Sequence, residues 1–372
     1  MHLIPAFGTV LPLIVAGFAV AALLALLGTP IVIRLAHRIG AVDQPNHRRV
    51  NEAPTPRGGG IAVAFAFLVV AGVILVMNEQ SGQLVDPRGL DITEFGALLG
   101  GGLLATVLGA LDDILQLRAR WQLLGQLALA GVAIVTGVTV TYLANPFVGS
   151  VNIPLGGFAI GFTALWIVGM INSINFIDGL DGLSSGIALI AAVTLGLISF
   201  TSVINQPLVG LLCFVLAGAL LGFLRWNFHP AAVFIGTSGV MFVGYTLAIL
   251  AILGTAKVAV ALLVLGVPII DTFWIIVRRL ATGHSPFTPD RGHIHHRLLD
   301  LGLSHRQTVL VIYGICIVLA TLSFVLSGTQ QAYAFLGLAV AFGLGVFLLA
   351  RGDSSDALDA DSYDGPTSSD AQ

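Results

Sequence analysis

Two carboxylates stand side by side in GALDDILQLRARW, at Asp112 and Asp113, and four more polar groups recur at every third position of NSINFIDGLDGL: Asn172, Asn175, Asp178 and Asp181. Adjacent carboxylates repel each other, and in apolar surroundings they are costly unless a proton or a cation joins them. A hard divalent ion such as Mg²⁺ meets that need, because it takes oxygen ligands and keeps waters that a phosphate can displace. The plainer alternative is a solvated helix end, with Arg118 and Arg120 as counter-charges. In an ideal α-helix each member of the Asn/Asp series lags its predecessor by about 60°, so the four wind about half-way round. A break at Gly179 and Gly182, or a tighter turn there, brings them to one side. Two carboxylates and two carboxamides exceed what a helix cap at a membrane interface requires.

Cationic and planar groups accompany the acids. His293, His295 and His296, with Arg291 and Arg297, cluster in RGHIHHRLLDLGLSHR. The spacing matches no common zinc pattern, and flanking arginines favour an anion such as phosphate over a metal. Ordinary basic residues beside a membrane are the competing reading. In VDQPNHRRVNEAPTPRGGG, Arg57 offers a bidentate fork and Gly58 to Gly60 permit close backbone approach. In RWNFHPAAVFIGTSG, Asn227 can read an amide-like base edge and Phe234 offers a face for stacking. Asp271, in VPIIDT, sits near the end of an apolar run, where an unpaired carboxylate is expensive and a partner is expected.

The elements that position these groups are membrane helices. The chain of 372 residues is 56% hydrophobic and 9% charged, against roughly 25% charged in a soluble domain. Apolar runs near the roughly 20 residues a bilayer requires lie at about 9–33, 60–77, 95–111, 122–142, 156–171, 183–203, 207–224, 232–253, 256–277, 308–327 and 332–350. The fold class is therefore all-α and polytopic, with about 11 transmembrane helices over residues 1–350 and no soluble domain. Residues 351–372 read as a disordered, acidic tail rich in Asp and Ser. The first run lacks a basic leader and is longer than a signal peptide's apolar core, so it is expected to stay in place. Cys213 and Cys316 lie inside apolar runs, which excludes a disulfide framework. A net charge of −3 gives no basic surface for nucleic acid.

Lys and Arg concentrate in cytoplasmic loops. Of the 16 here, all but Arg88 and Lys257 fall in one alternate set of loops or in the tail. The N-terminus is accordingly expected outside, and every polar cluster named above on the cytoplasmic face of a multi-pass plasma-membrane protein. An ion-coupled transporter also carries membrane acids and glycine-broken helices, but its sites belong at mid-membrane rather than at the helix ends.

The ordered motifs VDQPN and PTPRGGG, GALDD, NSINFIDGLDGL, RWNFHPA, VPIIDT and SPFTPDRGHIHHRLLDLG, over about residues 34–306, resemble the polyprenyl-phosphate N-acetylhexosamine-1-phosphate transferases. The HIHHRLLDLG form is similar to the branch that uses UDP-N-acetylglucosamine. The resemblance implies transfer of N-acetylglucosamine 1-phosphate from that nucleotide sugar to undecaprenyl or another polyprenyl phosphate, with release of UMP, as the first step of a cell-envelope polysaccharide. It implies Mg²⁺, with Mn²⁺ as the alternative, held by Asp112, Asp113 and Asp178. Asp112, Asp113, Asp178 and Asp181 would be catalytic. Asn172 and Asn175 would line the nucleotide-sugar site, Asn227 and Phe234 would meet the nucleoside, and Arg57, Arg291, His293, His295 and His296 would bind substrate. A homodimer in the bilayer is compatible with it. The chain departs from the family's MGD-x-G-S segment, reading IGTSGV with Thr237 for the aspartate and Val240 for the serine. Asn51 replaces a usual histidine, and Gln122 a frequent lysine. These changes define an alternative expectation, a homologue that binds polyprenyl phosphate or nucleotide sugar with weakened turnover.

Overall fold

The computed structural model describes residues 3–4, 6–44, 54–81, 85, 90–145, 152–254, 258–281, 293–326, 329–331, 333–341 and 343. The helices are α1 Ala6–Ile39, α2 Gly60–Gln80, α3 Ile92–Leu115, α4 Ala119–Val135, α5 Gly156–Ile177, α6 Leu183–Ser199, α7 Pro207–Asn227 and α8 Gly236–Leu253. After them come α9 Val258–Val264, α10 Gly266–Ala281, α11 Ile294–Asp300 and α12 His305–Val325. Two short antiparallel hairpins join them, β1 Val42–Asp43 with β2 Thr55–Pro56, and β3 Tyr142–Ala144 with β4 Asn152–Pro154. Among the described residues, seven helices are long and apolar enough to cross a membrane, and α4 and α6 are shorter apolar helices. The chain is an all-α polytopic membrane protein.

Nine of the expected apolar runs each overlap one of these helices, and a helix at 333–341 lies within the last run. One run differs in kind. The expected 256–277 span is two helices, α9 and α10, interrupted at Leu265, a break that an unbroken apolar sequence does not announce. The acidic tail lies outside the described residues.

The apolar sequence is hydrophobic on all sides, so burial rather than amphipathicity separates inner helices from outer ones. The most apolar window of α7 and of α8 is 83% buried, whereas that of α1 is 28% buried and faces outward. Lipid tails give helices no hydrophobic reason to associate, so small residues that let backbones meet carry the packing. On α7, a Cβ at Gly218 or Gly222 would stand 2.2 Å from Phe18 O or 2.0 Å from Ala22 O of α1. On the site side, a Cβ at Gly60 would stand 2.0 Å from Gly239 Cα, and one at Gly109 2.4 Å from Ser238 Cα. The start of α2 and the end of α3 are thereby pressed against the first turn of α8.

Candidate active site

The link from α1 to α2 builds the first wall. Pairing of β1 with β2 sets Val42 opposite Pro56 and Asp43 opposite Thr55, which brings Arg57 Nη2 to 2.5 Å from Asp43 Oδ1. The following residues run beside the α7–α8 link: Phe234 N donates to Pro56 O, Gly59 N to Phe234 O and Gly60 N to Ile235 O. The backbone hydrogen bonds hold Phe234 in place, and Arg57 is held by its side-chain pair with Asp43 as well as by donation from its own N to Ala41 O.

The second wall is the start of α8. The first amides of a helix have no partner within it and carry the positive end of its dipole. Here the partner is Asp113, near the end of α3. Thr237 N donates to Oδ1 at 2.7 Å, and Ser238 N and Oγ donate to Oδ2 at 3.0 Å and 2.7 Å. Gly236, at φ +72°, makes the turn that aims these amides at the carboxylate. Asp112 turns elsewhere. Its Oδ1 accepts from Leu117 N and from Gln122 Nε2, each at 2.9 Å, closing the α3–α4 turn. Two adjacent residues cannot share a helix face, so only Asp113 reaches the cavity wall.

The α5–α6 turn supplies the third wall. Helix α5 ends at Ile177, and Gly182, at φ +78°, starts α6. The break brings Asn175, Asp178 and Asp181 to one cavity. Asn172 lies inside α5, donating to Gln126 Oε1 at 2.6 Å and Val168 O at 2.8 Å, away from that cavity. Gly179 is there for space: a Cβ would stand 2.2 Å from His295 Nε2. Ser184 Oγ donates to Asp178 Oδ1 at 2.5 Å. Burial first, and then the charges of Asp113 and Asp181, push the Asp178 carboxyl up to about 7 against the opposing Ser184 bond.

These walls enclose a polar cavity of about 350 Å³. Arg57, Asp113, Asn175, Asp178, Asp181, Asn227, Phe234 and His296 all line it, although they come from segments up to 239 residues apart, Arg57 to His296. Asn227 is engaged by the protein at both ends of its amide, accepting from Ser185 Oγ at 2.6 Å and donating to Val233 O at 3.0 Å. It braces α6 against the α7–α8 link.

The histidines divide. His296 is on the cavity wall. His295 is buried over Gly179, and burial together with neighbouring histidines holds its pKa well below the usual range, so it is uncharged at neutral pH. His293 pairs through Nδ1 with Asp271 Oδ2 at 2.7 Å, giving Asp271 the partner its position demands. Arg291 lies outside the described residues.

Asp43, His305 and His229, the partner of Asp181, belong to the site without having stood out in the sequence. Single residues carry no spacing, although VDQPN, RWNFHPA and LGLSHR contain them. Asp181 Oδ2 meets His229 Nδ1 at 2.8 Å and accepts from Ala231 N at 3.1 Å. Ligand atoms of Asp181, His229 and His305 lie within 4.8 Å of one another, close enough to consider a metal. The rings argue otherwise. His229 and His305 stack face to face, 4.1 Å between centroids and 19° between planes. Imidazole lone pairs point within the ring plane, and no nearby point lies in both planes. The trio reads as a stacked pair steadied by a carboxylate.

Residues 95–255 match the profile of glycosyl transferase family 4. The chain is similar to a probable undecaprenyl-phosphate N-acetylglucosaminyl 1-phosphate transferase of Bacillus subtilis, 40% identical over 341 residues that cover 90% of each protein. It is 36% identical over 366 residues to the decaprenyl-phosphate N-acetylglucosaminephosphotransferase of Mycobacterium tuberculosis, covering 90% of this chain and 88% of that one. An undecaprenyl-phosphate alpha-N-acetylglucosaminyl 1-phosphate transferase of Yersinia pestis is 30% identical over 291 residues, 75% of each chain.

Proposed function

The chain belongs to glycosyl transferase family 4, within its polyprenyl-phosphate N-acetylglucosamine-1-phosphate transferases, and from that membership we propose the reaction its cavity performs. It transfers N-acetylglucosamine 1-phosphate from UDP-N-acetylglucosamine to polyprenyl phosphate, beginning a cell-envelope polysaccharide. A lipid phosphate oxygen bonds to the β-phosphorus, the bond from that phosphorus to the bridging oxygen breaks, and UMP leaves. The observation that carries this reading is the meeting of Asp113, Asn175, Asp178, Arg57 and His296 in one cavity at the ends of apolar helices, where a lipid phosphate could reach it. The loop distribution of Lys and Arg supports a cytoplasmic position for that end.

Mg²⁺ fits the donor set. Asp113, Asp178 and Asn175 offer hard oxygen ligands, and the raised carboxyl of Asp178 reflects buried acids in want of a cation. These three residues would hold the ion, which when bound supplies charge neutralisation for the diphosphate and the departing UMP. The remaining work belongs to the chain. Arg57, paired with Asp43 and so fixed in direction, offers a charged donor to phosphate oxygens. His296 lines the same cavity as a further donor, and Phe234 offers it a ring on which the nucleoside would stack. A lipid phosphate with a second pKa of about 6 is already mostly dianionic at neutral pH, so the nucleophile needs positioning more than deprotonation.

The test is UMP release by purified protein given UDP-N-acetylglucosamine, polyprenyl phosphate and Mg²⁺. Release that requires both substrates, stops with a chelator and is lost in Asp178→Asn supports the reading. Thr237, in the first turn of α8 at the place of the aspartate in the family's MGD-x-G-S pattern, favours a second reading, a binding homologue with weakened turnover. No UMP from the wild type, with activity appearing in Thr237→Asp, would establish that reading instead.

A further inference from the structure

Helix α11 carries His296 to the cavity and His295 onto Gly179, yet it is seven residues long, too short to be stable alone. Its N-terminal residue His293 makes no side-chain cap for it. The cap comes from another helix. Asp271 of α10 is 1% exposed, and its two oxygens take the first two residues of the α11 segment separately: Oδ1 accepts from Ile294 N at 3.0 Å and Oδ2 from His293 Nδ1 at 2.7 Å. A carboxylate only accepts, so Nδ1 carries the hydrogen and the imidazole is held in one tautomer and one orientation. Downstream, His295 packs on Gly179, next to Asp178, and His296 forms part of the cavity wall.

We propose that Asp271 is a positioning residue for the transfer reaction: by clamping His293 and the Ile294 amide, it seats α11 against the Asp178 turn and fixes where His296 meets the phosphates. This rests on the transferase reading above. Asp271 does not line the cavity, so it acts through α11 and touches no substrate. Removing the clamp leaves the bundle's glycine-mediated contacts in place and releases only the short helix. The effect belongs on turnover and on the order of α11, more than on affinity for the lipid.

Asp271→Ala, Asp271→Asn and His293→Ala are compared with wild type by UMP release and by hydrogen exchange of peptides covering 294–300. Asp271→Ala should lower kcat at least about tenfold, as misplacement of a substrate-facing group does, and speed α11 exchange by about the same factor. The KM for polyprenyl phosphate should stay within about twofold. Asp271→Asn keeps an oxygen for Ile294 N and should recover most of both readouts. If Asp271→Ala fails to fold, His293→Ala removes one arm of the clamp and should move kcat and exchange together. Combining it with Asp271→Asn should then cost no more than the worse single change. Unchanged α11 exchange in the folded variants, faster exchange with wild-type kcat, or additive losses would each overturn the proposal. A wild type that releases no UMP refutes the transferase reading instead, while exchange still reports on the clamp.

Discussion

Gly236 and Gly58 provide a controlled pair for testing whether the position of Asp113 governs activity. Both have left-handed backbones, φ +72° and φ +83°, so alanine at either strains the chain by about 1–2 kcal/mol. Their surroundings differ. A Cβ on Gly236 would lie 2.7 Å from Asp113 Oδ2, 2.8 Å from Oδ1 and 2.6 Å from Gly58 N, whereas the nearest atoms to a Cβ on Gly58 lie 3.6 Å away. Ordinary van der Waals contact begins near 3.4 Å, so Gly236→Ala forces the carboxylate back by about 0.7 Å, a shift of the size that costs up to about a hundredfold in turnover. The expected result is a fall in thermal stability for both variants, larger for Gly236→Ala because its Cβ also meets the Gly58 backbone, with kcat for UMP release in the folded protein reduced at least about thirtyfold in Gly236→Ala and no more than about threefold in Gly58→Ala. Equal losses of activity in the two variants would refute the reasoning, because backbone strain alone would then account for them. Wild-type turnover in folded Gly236→Ala would refute it as well.

Arg57→Lys should lower kcat/KM for the nucleotide sugar at least about tenfold, since an ammonium cannot reproduce the fork that binds Asp43 and faces the cavity; steady-state kinetics would show it. Gly60→Ala places a methyl 2.0 Å from Gly239 Cα, backbone against backbone, and should prevent recovery of folded protein by gel filtration in detergent, whereas alanine at Gly157, which has nothing within 4 Å, should be recovered normally. His295 is depressed in the folded protein and ordinary in the unfolded chain. The unfolded state therefore takes up a proton that the folded state refuses, and stability falls as pH drops below about 6.5, by at most about 1.4 kcal/mol per pH unit for this group. Thermal midpoints between pH 8 and pH 5 should show that slope in the wild type and a shallower one in His295→Gln.

The sequence by itself determined the class of the fold and the kind of chemistry. Apolar runs long enough for a bilayer and the one-sided placement of Arg are local properties, written in consecutive residues, so the polytopic helical class and the shared end of the polar clusters could be read directly. The acids, carboxamides and histidines were equally plain as residue types. The tertiary structure decided which of them act together. Asp112 and Asp113 look equivalent in the chain, yet one closes a turn with Gln122 while the other caps a helix through the amide of Thr237, 124 residues later. Asn172 continues the spacing of Asn175 and Asp178, but the helix does not break until after Ile177, which leaves Asn172 a turn inside and bonded to Gln126. Asn227 matched a substrate-reading role by type, and its amide is engaged by Ser185 and Val233. Asp271 needed a partner, and only the packing of α10 beside α11 named it as His293. The physical reason is common to all four: hydropathy and helix period act over a few residues, whereas the partner of a buried polar group is set by which helices meet, and at what height, across the bundle.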